Sequence, residues 1–174
     1  MQIRLAQPAD YELLSHYYLL NAKHFGPWEP EREPGYYSER QIRKRLRLQD
    51  KDQRQGSAAL FLALDDDGKE ILGHCSLTNI LYGPMRACYM GYGVSHFYEG
   101  QGVMHILCSH VIDYAFNHLQ LNRIMANYMP INRRSAALLD RLGFQVEGTA
   151  KRYLKINSTW EDHVLTSLLN QENL

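Results

Sequence analysis

One stretch constrains the fold more than any other. Residues 87–94 read as a strand, Glu99-Gly100-Gln101-Gly102 as a turn, residues 103–119 as a long amphipathic helix, and residues 123–128 as a strand again. The helix carries Val103, Leu107, Val111, Tyr114 and His118 on one stripe. A tight hairpin cannot join parallel strands, so a strand, helix and strand in succession predict a crossover unit with a parallel pair. Gly91 and Gly93 inside the first of these strands suggest a bulge or a close backbone approach.

The segments around this unit predict antiparallel neighbours. Residues 58–64 are strand-like, Asp65-Asp66-Asp67-Gly68 is turn chemistry, and residues 71–81 are strand-like, which together predict a hairpin. Tyr82-Gly83-Pro84 turns the chain into residues 87–94. At the start, residues 3–6 predict a strand. Residues 9–23 predict a helix, with Leu13, Leu14, Tyr17, Tyr18 and Leu20 at helical steps and Asp10 in capping position. A second helix is predicted over residues 38–53, after the breakers Gly26, Pro27 and Pro30. Residues 132–142 predict a short helix stopped by Gly143, and residues 144–149 and 164–169 the last two strands. The order is strand, two helices, three strands, helix, strand, helix, two strands. It describes an α/β (α+β) chain with a mixed, mostly antiparallel sheet. No repeat, linker or low-complexity segment interrupts it, so residues 1–174 are expected to form a single domain.

Composition excludes several classes. Formal net charge is zero, which argues against a chain built mainly to coat nucleic acid. No apolar run is long enough to span a bilayer, and the opening Met1-Gln2-Ile3-Arg4-Leu5-Ala6 lacks the layout of a signal peptide. Three widely spaced cysteines, Cys75, Cys88 and Cys108, fit reduced core thiols and a cytoplasmic location better than a disulfide framework. The eight histidines show no His-x-x-x-His spacing and the cysteines no Cys-x-x-Cys, so no metal site is expected. Asp65–Gly68 lacks the alternating ligands of a calcium loop. No Gly-x-Ser-x-Gly elbow supports a serine hydrolase.

The turn before the long helix is the informative site. The first amides of a helix have no intrahelical partner, and the helix dipole adds positive potential there. Glycines let the main chain approach an anion without a Cβ in the way. Gly100 and Gly102 also fit a plain strand-to-helix turn. A P-loop would need Gly-Lys-Ser/Thr, which is absent. A dinucleotide fingerprint would need a third glycine where His105 stands.

Downstream residues carry a resemblance. Asn132-Arg133-Arg134-Ser135, Leu142-Gly143-Phe144, Glu147-Gly148 and Trp160-Glu161-Asp162-His163 follow the turn in order, and Ile3-Arg4-Leu5-Ala6-Gln7-Pro8-Ala9-Asp10 precedes it. Together these resemble the GNAT superfamily of acetyl-CoA-dependent N-acetyltransferases, and its ribosomal-protein-alanine N-acetyltransferase branch most closely. The superfamily signature Arg/Gln-x-x-Gly-x-Gly/Ala matches Glu99–Met104 at the middle glycine, while Glu99 and Met104 depart from it.

The resemblance implies the GNAT acyl-CoA N-acyltransferase fold, a twisted mixed sheet of about seven strands flanked by about four helices. It implies that acetyl-CoA is the co-substrate. Gly100, Gln101, Gly102, Val103, Met104 and His105 would hold its pyrophosphate, and Tyr92, Val94 and Asn132 its pantetheine arm. A main-chain N–H near Val94 would polarise the thioester carbonyl. Direct attack by the amine needs no covalent intermediate. Ser135 is the expected proton donor to the leaving thiolate, and Glu147 the candidate carboxylate at the site, with a structural ion pair as its alternative. Asn132 reads equally as a helix N-cap.

The acceptor the resemblance implies is the N-terminal amine, of alanine, of a ribosomal protein. A small amine (a polyamine, an aminoglycoside or an amino-acid-like molecule) is the alternative, and a non-catalytic acyl-CoA-binding or ribosome-binding module the third reading. The basic run from Arg40 to Arg47 is either a solvated helix face or a contact for a ribosomal partner. The aromatic, turn-rich segments 25–30 and 35–37 are either an acceptor mouth or a packed loop.

Overall fold

Residues 59–64 read Ala-Leu-Phe-Leu-Ala-Leu, and all six are buried in β2 (Ala59–Leu64). A strand sends alternate side chains to opposite faces. Leu60, Leu62 and Leu64 enter a core with Leu14, Tyr17, Ile42 and Leu46. Ala59, Phe61 and Ala63 enter a second core with Leu107, Val111, Ile124 and Leu139. The sheet therefore lies between two helical layers. On one face are α1 (Tyr11–Phe25) and α2 (Glu39–Gln55); on the other are α3 (Val103–Asp113) and α4 (Arg133–Arg141).

The computed structural model describes residues 1–173. Its other strands are β1 (Gln2–Leu5), β3 (Ile71–Leu81), β4 (Ala87–Val94), β5 (Arg123–Tyr128), β6 (Gln145–Ile156) and β7 (Thr159–Leu169). They form a seven-stranded sheet in the order β1-β2-β3-β4-β5-β7-β6. Every neighbouring pair is antiparallel except β4 and β5. That parallel ladder joins Ala87–Tyr89 to Arg123–Met125 and then stops. Beyond it β4 stays paired with β3 as far as Val94, and β5 with β7 as far as Tyr128. The sheet is split between them.

The sheet of seven strands, the four helices and the crossover agree with the sequence reading. Three details differ. The long helix is α-helical only to Asp113, and Tyr114–His118 follows as a π-helical turn. The last two strands are far longer than residues 144–149 and 164–169. They continue as a hairpin turning at Asn157 and Ser158, both with positive φ (44° and 63°), as a two-residue hairpin turn requires. Much of β6 is exposed on both faces, so no apolar alternation marks it. The return strand β7 also inserts between β5 and β6.

The entry to α1 is fixed electrostatically. Arg4 holds Asp10 with two bonds of 2.7 Å, and Asp10 also accepts the Gln7 N–H at 2.7 Å. Burial opposes ionisation of Asp10, but these bonds outweigh it and hold its pKa below the ordinary carboxylate range. A carboxylate with a lowered folded pKa stabilises the fold above its unfolded value, about 3.9, and that stabilisation is lost as pH falls through the folded pKa. Asp10→Asn should therefore lower unfolding free energy by about 2 kcal/mol at pH 7. In urea titrations the gap between wild type and variant should close on acidification below pH ~3. A gap that persists at low pH would mean the loss is steric, not electrostatic.

Candidate functional site: a cleft through the split sheet

The gap between β4 and β5 opens into a cleft of about 1060 Å³. Its floor follows from the ladder pattern. Ser95 N–H donates to Leu72 O at 2.8 Å at the end of the β3–β4 pairing. Alternation along β4 then turns the N–H groups of Tyr92 and Val94 away from β3, toward the gap.

The glycine turn forms one end. Gly100 (φ 72°) and Gly102 (φ 80°) both take the left-handed conformation that favours glycine. A Cβ at either would meet nothing within 4 Å, so the space beside them is open. Gly102 is the N-cap of α3 and makes no side-chain cap bond. The helical ladder opens with Ile106 N–H donating to Gly102 O at 3.2 Å. The amides of Val103, Met104 and His105 thus precede the helical ladder, and these residues line the cleft with both glycines. Gln101 does not line it; its side chain turns back to Phe97 O at 2.9 Å.

Glu99, which departs from the expected signature, is neutralised. It accepts an ion pair from Arg134 and lies 3.5 Å from His24 Nε2. Arg133, Arg134 and Arg141 of α4 also line the cleft. The donors an anion would find here are helix amides and α4 guanidiniums. Sequence reading missed the arginines, although Arg133 and Arg134 sit between the two residues it singled out.

Those two residues meet the cleft at the start of α4. Asn132 Oδ1 accepts Ser135 N–H at 3.1 Å, so Asn132 is the N-cap of α4 as well as a lining residue. Ser135 Oγ lies 2.6 Å from the Tyr92 hydroxyl. Burial pushes the Tyr92 phenol far up, against the opposing pull of its bond to Ser135, so at neutral pH it keeps its proton. The two hydroxyls can pass a proton to a developing anion. The resemblance implies Tyr92 only as part of the pantetheine-arm site; the contact of its hydroxyl with Ser135 joins residues 43 apart in sequence.

The expectation of a site carboxylate at Glu147 is not met by its position. Glu147 is paired with Arg123 at the opposite end of β5, accepts Ser167 Oγ at 2.8 Å, and does not line the cleft. Arg123 and Ser167 hold its pKa below the ordinary range, as a structural ion pair does.

The sheet has two faces at the split. Tyr89 stands opposite Met125 in the parallel ladder, and Asn127 opposite Leu165 in the next. Period-two alternation then assigns Gly91, Gly93, Asn127 and His163 to one face, and Tyr92, Ala126 and Tyr128 to the other. The first face carries α1: a Cβ on Gly93 would meet His74 at 2.7 Å and Phe25 at 3.2 Å. His74 is held neutral there, its pKa pushed down by burial to about 4, with Nδ1 3.0 Å from the Tyr17 hydroxyl.

Phe25, Trp28, Glu29 and His163 line the cleft on the α1 side. The hairpin tip closes over this mouth: Asn157 Nδ2 donates to Gly26 O at 3.0 Å and Ser158 Oγ to Glu31 at 2.8 Å. Tyr37 packs instead, stacked on Tyr18 at 4.9 Å. Cys75, Cys88 and Cys108 are all buried and none lines the cleft; burial raises the Cys88 pKa to about 12. Among the described residues no cluster of His, Cys, Asp and Glu could hold a metal ion.

Known proteins match this arrangement. Residues 1–145 match the family described as acetyltransferase (GNAT) domain. The [ribosomal protein uS5]-alanine N-acetyltransferase of Escherichia coli K12 is 41% identical over 166 residues, 95% of this chain and 86% of that protein. The crystal structure of a ribosomal-protein-S5-alanine acetyltransferase from Vibrio fischeri superposes with a TM-score of 0.95 at 37% identity, covering 98% of this chain and 93% of that one. Mycobacterium smegmatis RimJ, solved in complex with CoA-disulfide, gives 0.91 at 28% identity over 98% of this chain and 82% of its own. The family match over residues 1–145, the 41% identity and the close superposition agree, and the chain belongs to the GNAT acetyltransferase family.

Proposed function

We propose that this acetyl-CoA-dependent N-acetyltransferase acts on the N-terminal α-amine, of alanine, of a ribosomal protein. The observation that carries this reading is the 41% identity, over 95% of the chain, to a uS5-alanine N-acetyltransferase. The cleft supports it, because it runs through the sheet and gives co-substrate and acceptor separate faces. A ribosomal acceptor implies action in the cytoplasm; among the described residues no helix is long and apolar enough to cross a membrane. Residues 1–174 act as one catalytic domain in this reading, since β7 is inserted between β5 and β6 and unites both parts of the chain in one sheet.

The amides of Val103, Met104 and His105, with Gly100 and Gly102 giving access, take the pyrophosphate. The side chain of Gln101 takes no part. The free edge of β4 at Tyr92 and Val94 pairs with the pantetheine arm, with Asn132 beside it. The Val94 N–H stabilises the oxyanion as the amine attacks the thioester directly. Ser135, bonded to Tyr92, protonates the departing thiolate. Glu147 is assigned no proton transfer.

Ser135→Ala and Tyr92→Phe should each lower kcat about 100-fold with little change in KM for acetyl-CoA. If the hydroxyls act as one unit, the double variant should be no slower than the worse single. Multiplicative losses in steady-state assays would separate their roles.

The acceptor is tested with acetyl-CoA and extract from a strain lacking the gene, reading newly blocked N-termini by mass spectrometry. Blocking of a ribosomal-protein alanine supports the reading. Transfer confined to spermidine or another small amine would overturn it.

The basic face of α2 is proposed to meet the ribosomal partner. Ile42 and Leu46 are buried, while Arg40, Arg43, Lys44 and Arg47 line an exposed concavity. Arg43 also lies over the Tyr11 ring at 3.9 Å, so it is left in place. Arg40→Glu with Lys44→Glu and Arg47→Glu should raise KM for the intact acceptor about tenfold, most strongly at low salt, and leave kinetics on a short peptide unchanged. Equal kinetics on both substrates would make the face merely solvated.

A further inference from the structure

His163 lies on β7, on the cleft face opposite the Tyr92–Ser135 pair, and only 5% of the residue is exposed. Its orientation is fixed. Nδ1 is 3.2 Å from Glu161 O. A carbonyl oxygen only accepts, so Nδ1 carries the hydrogen and the neutral ring keeps its lone pair on Nε2. The Tyr153 ring sits beside it, centroids 5.4 Å apart, and Tyr153 is itself held by Asn127 Nδ2 at 3.1 Å. Among the described residues nothing donates to Nε2.

The other basic groups on this side are engaged. Glu29 accepts the Tyr37 hydroxyl at 2.9 Å and pairs with Arg32 at 3.8 Å. His24 faces Glu99, His74 faces Tyr17, and His96, which also lines the cleft, has Nδ1 2.8 Å from Asn21 Oδ1. We propose that His163 Nε2 is the proton acceptor for the attacking amine, a catalytic role that rests on the reading of this cleft as an α-amine acetylation site.

An α-amine has a pKa of about 7.7–8.0, so most of it arrives as ammonium at pH 7. One ammonium proton passes to Nε2, giving imidazolium and a neutral amine. The nitrogen lone pair forms the C–N bond, and the carbonyl becomes an oxyanion. The oxyanion collapses, the C–S bond breaks, and the thiolate takes a proton from Ser135, which is resupplied through Tyr92 from solvent. The nitrogen's second surplus proton leaves to water, as does the proton on His163. The sum is one amide, one CoA thiol and one released proton. The titratable groups around His163 are Tyr153 of β6, Tyr89 of β4 bonded to Tyr153, and Glu29 and His24 across the cleft; Asp162, next in its own strand, is tied to Lys151.

The test compares wild type, His163→Gln and His163→Ala on a peptide with N-terminal alanine from pH 6.5 to 9.5. At pH 7 kcat of His163→Gln should fall about 100-fold, with KM for acetyl-CoA unchanged. The deficit should narrow to below tenfold at pH 9.5, where the amine is already neutral. Added imidazole should restore part of the turnover of His163→Ala. A deficit equal at every pH and untouched by imidazole, or no deficit at all, would overturn the proposal. Should neither variant fold, ring 1H–15N spectra of the wild type decide: an Nδ1–H tautomer is expected, and an Nε2–H tautomer refutes it. Failure of the acceptor reading is distinct, since wild type itself would then ignore the peptide, and the same comparison is made on the amine it does acetylate.

Discussion

Everything at the site depends on how soon the β4–β5 ladder ends. Only Ala87–Tyr89 and Arg123–Met125 are paired. Past that point the N–H groups of Tyr92 and Val94 face no strand, and unpaired backbone groups away from water are costly unless something bonds them. A parallel neighbour would satisfy them and close the cleft. Two features keep it open. The crossover through α3 packs Leu107, Cys108 and Val111 against the sheet and fixes where β5 returns. β5 is fully paired on its other side with β7, from Arg123↔Leu169 to Tyr128↔Val164, so it has no need to follow β4. The insertion of β7 beside β5 is therefore part of the site's construction.

The parts legible in the sequence were those whose signals are local. β3, β4 and β5 are legible at their observed bounds because turn residues or helix ends flank runs rich in apolar side chains. Gly100 and Gly102 were legible because left-handed φ restricts the residue type. Asn132 was legible as a cap or a ligand residue, and it occupies a position where both hold. The rest needed distant contacts. The extension of β6 carries exposed Lys151, Arg152, Leu154 and Lys155 before the buried Ile156, so it lacks the alternation that marks a strand. The Tyr92–Ser135 bond joins β4 to α4. Glu147 was put at the site by resemblance, and only the strand register, which sets Gln145 opposite Ser167, carries it to the Arg123 end of β5.

Zero net charge conceals a segregated surface. Glu99, standing where the family signature carries Arg or Gln, would by itself repel a pyrophosphate. Arg134 pairs with it, and Arg133 and Arg141 face the same cleft. Positive potential thus comes from α4 and from helix amides, which carry no sequence signature beyond glycine. In the proposed binding of the pyrophosphate, this supply of positive charge offsets the departure of the loop from the signature at both ends.

In the mechanism proposed above, the two faces of the split separate two opposite proton demands. A leaving thiolate needs a donor that stays protonated at neutral pH, and burial keeps the Tyr92 phenol in that state. An attacking amine needs the reverse, an acceptor with a lone pair beside the incoming chain. The proposed donor and acceptor come from different faces: Tyr92 and Ser135 approach from the side of α3 and α4, and His163 from the side of α1. In the proposed mechanism the thioester carbonyl sits in the plane between them, beside the Val94 N–H, and the short parallel ladder that opens the sheet would then also hold the proposed donor and acceptor apart.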